Sequence, residues 1–132
     1  MSLSGEHYSG PVPDAYQTFR QFKRLKTDKF FMSQTSVADN CVVVHELGPV
    51  LIRNILQSMD ENVYIVCQRL TGISDLFEYP LSSRSLDICK ASVVCTETAV
   101  VAVSDITSKC VCLPCQDDGN TYAIIPFLHL EH

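Results

Sequence analysis

Apolar residues in this chain follow period two, the spacing of strands, over most of its length. The densest example is residues 86–115, LDICKASVVCTETAVVAVSDITSKCVCLPC, where Val101 and Val103 face one way and Val100 and Ala102 the other. β-Branched residues at that period read as strands. Polar interruptions at residues 96–98 and 104–105 mark turns and predict three consecutive strands. Residues 41–45 (CVVVH) and 63–69 (VYIVCQR) predict two more. Residues 50–58 (VLIRNILQS) fit either a helix or a strand. Gly48 and Pro49 before them and the polar residues 59–62 after them favour a strand in a compact meander. Residues 70–85 read as a long connection in which Leu76, Phe77 and Tyr79 fold back on the core. QDDGN at 116–120 reads as a hairpin turn, and TYAIIPF at 121–127 as a closing strand placed at an edge by Pro126.

The beginning of the chain has a different period. Phe19, Phe22 and Leu25 recur every three residues, with Arg20, Lys23, Arg24 and Lys26 between them. That spacing predicts a short helix over 14–29, capped by Asp14. Residues 1–13, rich in Ser, Gly and Pro, read as a flexible leader, and Leu130, Glu131 and His132 as the remnant of a purification tag. The resulting expectation is a mostly-β fold. It would be a small single-domain barrel of six to eight short strands over residues 14–129, with one short N-terminal helix; closure would remove exposed edges.

Composition narrows the functional classes. With 132 residues, 46% hydrophobic and 19% charged, the chain suffices for one core and is not disordered by composition. No apolar run is long enough for a membrane helix and the start does not read as a signal peptide, so no membrane role is expected. The net charge of −5 is uneven. Arg20, Lys23, Arg24, Lys26 and Lys29 supply five of the ten basic residues, while residues 30–129 carry eleven acids against five bases. An acidic body repels phosphate backbones, which leaves the segment 20–31 as the only nucleic-acid candidate. Its plainer reading is a solvated face over aromatics.

Seven Cys, an odd number without a secretory signal, imply free thiols in a reducing, intracellular compartment. Cys110, Cys112 and Cys115 would offer thiolates to a zinc ion, but structural zinc wants four ligands. The preferred reading is core thiols and no cofactor. Cys41 and His45 stand ~13 Å apart on a regular strand, too far for a nucleophile–base pair. No GxSxG, HExxH, Walker A or GxGxxG pattern is present, so no enzyme is expected. Tyr64, Phe77, Tyr79 and Tyr122 would form a binding cage if they converged, with Asp75 or Glu78 adding attraction for a cation; otherwise they fill core.

Residues 103–114, VSDITSKCVCLP, resemble the closing part of bromo-adjacent homology (BAH) domains, whose charged connection would fall at residues 75–77 and 82–86. The likeness covers residues 40–115. Where that family has an aromatic-Tyr-Arg-Pro segment, this chain has CQRLTG at 67–72, without an aromatic. DLFEYP, SDITSKCVCLP and YAIIPFLH are also similar to uncharacterised domains that accompany zinc fingers in transposon-derived proteins. Both likenesses imply a nuclear, chromatin-associated setting. The expected function is a non-catalytic interaction module of a larger nuclear protein, binding a protein segment, possible chromatin partners included. A nucleic-acid-binding module and a zinc-stabilised domain are the alternatives. The oligomeric state stays open.

Overall fold

The computed structural model describes residues 1–36, 39–76, 78–86, 88–115 and 121–126; for Ser85, Leu86, Val93 and Cys115 the backbone alone is described. The expected site residue Phe77, the turn at 116–120 and residues 127–132 lie outside the described residues. Among the described residues there are eleven strands: β1 (Ser2–His7), β2 (Arg20–Lys26), β3 (Phe31–Ser33), β4 (Cys41–Val44), β5 (Gly48–Gln57), β6 (Val63–Thr71), β7 (Ser74–Asp75), β8 (Cys89–Ala91), β9 (Val93–Ala102), β10 (Ile106–Cys115) and β11 (Thr121–Pro126). Every pairing among them is antiparallel. No described helix is long and apolar enough to cross a membrane.

The mostly-β expectation holds, and residues 50–58 fall almost wholly in strand β5. β5 pairs with β6 along one edge and divides its other edge between β4 and β2. β4, β5 and β6 thereby become a wall with both faces covered, which is why their sequences are nearly continuous apolar runs. On one face, Val42, Val44, Val50, Ile52, Ile65 and Cys67 enter a largely aliphatic core that Phe22, Leu25 and Met32 complete. On the other, Cys41, Leu51 and Leu70 enter a second core with Ala91, Cys110, Cys112 and Ile124. Strand alternation alone sends Cys41 and Val42 to different cores. The β5–β6 register shifts between Ile52 and Asn54, and this extra residue returns Ile55 to the face of Val50 and Ile52.

The N-terminal helix does not form. Residues 20–26 are strand β2, and the only helical geometry nearby is a three-residue 3-10 turn at Asp14–Tyr16. The three-residue apolar spacing has another cause. β2 pairs with β5 through Phe22 and with β3 from Arg24 onward, so it changes partner at Lys23. Opposite that break, in β1, Gly5 has φ +72°, and a Cβ there would stand 3.0 Å from the Cβ of Lys23. A local irregularity of this kind lets Phe22 and Leu25 both turn inward. β1 itself occupies residues expected to be a flexible leader, and a buried polar clamp ties the segment after it to the sheet. Asn54 Nδ2 donates to the Pro11 carbonyl at 3.1 Å and to Gln21 Oε1 at 2.9 Å, and the Gly10 amide donates to the same Gln21 oxygen at 3.1 Å.

The barrel does not close either. The hydrogen-bonded order is β1-β2-β5-β4-β10-β11-β8-β7, with β3 on β2 and β9 on β6. The sheet curls over the second core, but β8 and β9, separated by Ser92, pair with different neighbours, β11 and β6. Two of the strands with a single neighbour are very short, β3 with three residues and β7 with two, while β1 and β9 present longer edges. Of the two turns expected within 86–115, the one at 104–105 is a 3-10 turn, Val103–Asp105, whereas residues 96–98 stay within β9, beside an irregularity where Gln68 faces Thr98 but Leu70 faces Val94. Pro126 ends β11, which lies between β10 and β8 and is not an edge.

Candidate functional site

The curled half of the sheet contains a cleft of about 430 Å³. Its walls come from Val43 on β4, Pro49 on β5, Ile73 before β7, Cys89 on β8, Cys110 on β10 and Ile124 on β11. It forms where the β10–β4 ladder is irregular: the register shifts between Ile106 and Ser108, and the Thr107 hydroxyl caps the Val43 carbonyl at 3.2 Å. Arg84 is the one charged residue among the described lining residues. The loop that carries it is organised by Asp75. That carboxylate accepts hydrogen bonds from the Ser82 hydroxyl and from the Arg84 amide (3.0 Å), while the Leu76 amide donates to the Ser83 hydroxyl at 2.8 Å. The Ser82 hydroxyl first, then the Arg84 amide, hold the Asp75 carboxyl below its usual range.

Beneath the cleft three thiols converge. Cys110 and Cys112, two apart on β10, share a face, and Cys41 on β4 is the cross-strand partner of Cys110. The Cys41 thiol stands beside both. Contact with Cys110, then with Cys112, and burial push the Cys41 thiol far above its usual range, and the same contacts hold Cys110 and Cys112 below theirs against burial. Cys67, in the other core, is pushed up to about 11 by burial.

The zinc alternative named Cys110, Cys112 and Cys115. The first two are brought together, while the side chain of Cys115 lies outside the described residues. The third thiol of the cluster is Cys41, which local sequence could not supply, because its neighbour is 69 positions away in the chain. Among the described residues, no group of three or more His, Cys, Asp or Glu is arranged to hold a metal ion. Cys41 and His45 stand at opposite ends of the β4 segment, the former buried and the latter exposed, near Glu46.

The expected aromatic residues are dispersed. Tyr64 tilts against Phe19, with ring centroids 5.8 Å apart, and Phe19 meets Tyr16 edge-on at 5.2 Å. Tyr122 packs against the thiol-bearing core, and Tyr79 is 89% exposed. No ring contact joins Tyr64, Tyr79 and Tyr122 among the described residues. The basic residues lie on β2 and the turn after it. Arg20 pairs with Glu6 at 2.7 Å and sits over the Phe22 ring, and Arg24 donates to the Ser4 hydroxyl at 3.1 Å. Lys23 is half-buried, and Lys26 and Lys29 are exposed.

Residues 6–127 match the family described as "Domain of unknown function (DUF8592)", and the chain belongs to that family. No curated protein and no solved structure matches it.

Proposed function

We propose that this DUF8592 domain is a non-catalytic interaction module of a nuclear, chromatin-associated protein, and that the cleft between β4, β8, β10 and β11 receives an apolar segment of a protein partner. The observation that carries the reading is the composition of the cleft. Val43, Pro49, Ile73 and Ile124 offer an apolar trough, and one guanidinium, that of Arg84, is available to orient a carboxylate. The resemblance of residues 103–114 to BAH domains supports the chromatin setting. The basic strand β2 supports a nucleic-acid reading less well, because Arg20 is already paired with Glu6 and the chain carries a net charge of −5.

The test is selection of displayed random dodecapeptides on the folded protein. Enriched sequences are expected to join aliphatic residues to an acidic one. Val43→Asp and Arg84→Ala should each weaken their binding about tenfold or more, the scale of one lost anchor. Neutralising Lys23, Arg24 and Lys26 together should leave it unchanged. Peptides that bind at Phe19 and Tyr64, or salt-sensitive binding to DNA abolished by that triple change, would replace this reading.

A further inference from the structure

The thiol cluster has a chemistry separate from whatever fills the cleft above it. Cross-strand partners in an antiparallel ladder have Cα atoms ~4.5–5.5 Å apart, inside the ~4.4–6.8 Å span of a disulfide. Cys41 and Cys110 stand in that relation. The other pairings in the cluster do not fit as well. Cys112 is diagonal to Cys41, at ~7–8 Å, and Cys110 and Cys112 lie two apart on one extended strand. Cys89 is two strands from Cys110, since β11 lies between β8 and β10; that is ~9–10 Å. Access is just as selective. Cys110 lines the cleft, although it is 1% exposed, whereas Cys41 does not line it and is wholly buried. The Cys41 thiol and the Ser108 hydroxyl both favour the Cys110 thiolate, the form that attacks.

We propose that Cys110 and Cys41 form a reversible thiol–disulfide pair, oxidised by a hydroperoxide that enters through the cleft and reduced by a low-molecular-weight thiol. The Cys110 sulfur attacks the peroxide, an S–O bond forms as the O–O bond breaks, and the departing oxygen leaves as water. The Cys41 sulfur then attacks Cys110. The S–S bond forms, the S–O bond breaks, and the second oxygen leaves as water with the Cys41 proton. Two thiols and one hydrogen peroxide give one disulfide and two waters. Two molecules of glutathione reverse it, ending as oxidised glutathione. The bridge would staple β4 to β10 beneath the cleft.

The experiment is peptide mapping of the folded wild-type chain after timed exposure to hydrogen peroxide and alkylation. The expected result is loss of two thiols per chain, a linked pair of peptides holding Cys41 and Cys110, no covalent dimer, and return to free thiols with glutathione. Cys110 should react at least ~10-fold faster than Cys67, which is wholly buried in the aliphatic core. In Cys41→Ser, a sulfenic acid that dimedone traps should accumulate on Cys110, and Cys95→Ser should change nothing. First reaction at Cys89 or Cys95, a bridge from Cys110 to Cys112, or equal rates for all thiols would overturn the proposal. The wild-type map decides even if a variant fails to fold.

Discussion

The two faces of the β4–β5–β6 wall are packed from different materials. The aliphatic side is filled by Phe22, Leu25, Met32, Ile52, Ile55 and Ile65, all branched or long side chains. The thiol side has Cys41, Ala91, Cys110 and Cys112 at its centre, with only Leu51, Leu70 and Ile124 as large members. Small side chains reach less far across a curled sheet, and the 430 Å³ cleft opens on that side: none of its lining residues belongs to the aliphatic core. Clefts of about 410 Å³ also border Phe22 and Val63 at the margin of the aliphatic side. What sets the thiol side apart is that soft, oxidisable atoms stand beside its cleft and small side chains make its centre.

The comparison breaks most readily by truncating one residue on each face. Ile65→Ala should cost about 2–5 kcal/mol in chemical denaturation, through lost transfer energy and a cavity that the surrounding strands cannot close. Cys112→Ala, on the thiol side, should cost about 1 kcal/mol, the scale of one buried heavy atom. Equal losses would mean that the two cores are equally tight. An effect between these two should follow from Asn54→Ala, which removes the donor to Pro11 and Gln21. About 1–3 kcal/mol is expected, the cost of buried polar groups left without partners. Hydrogen exchange should speed up over residues 2–7 and 20–22, which cover the aliphatic side, and not over residues 106–115. The smallest effect belongs to acid. Asp75 titrates lower in the fold than its ordinary value of 3.8. Its contribution is complete above that value and fades as the pH falls through the lower, folded one. The amides of Leu76 and Arg84 should exchange faster on acidification while the aliphatic core stays protected, and Asp75→Asn should remove that pH step. Loosening of both cores at the same pH would erase the distinction.

Most of the strands were legible from the sequence because their residues are placed by local alternation. CVVVH, VYIVCQR and most of residues 86–115 carry period two, or unbroken apolar runs that signal burial on both faces. The helix over 14–29 was misread because an irregular strand imitates helical spacing: Phe22 and Leu25 are both inward only because β2 changes partner opposite Gly5. β1 had no apolar pattern to announce it, since its role is to add hydrogen bonds to β2. Closure failed as an expectation because β8 and β9, consecutive in the chain, pair with different neighbours, a long-range outcome that local alternation does not carry. Of the site, CVCLPC drew attention to Cys110 and Cys112, whereas Asp75 was expected beside an aromatic cage and instead organises the loop that carries Arg84. Neither Cys41 as their neighbour nor Arg84 at the cleft could be read, because both depend on pairings distant in the chain.

Val42 and Cys41, adjacent in a four-residue strand, serve opposite interiors. An inserted or deleted residue just before Cys41 would send its thiol and the three valines of the strand each to the opposite interior at once. The molecule accordingly has no seam along which to part. Melting either interior strips the shared partition from the other, so thermal unfolding should be a single cooperative event, and neither half should survive when excised by itself.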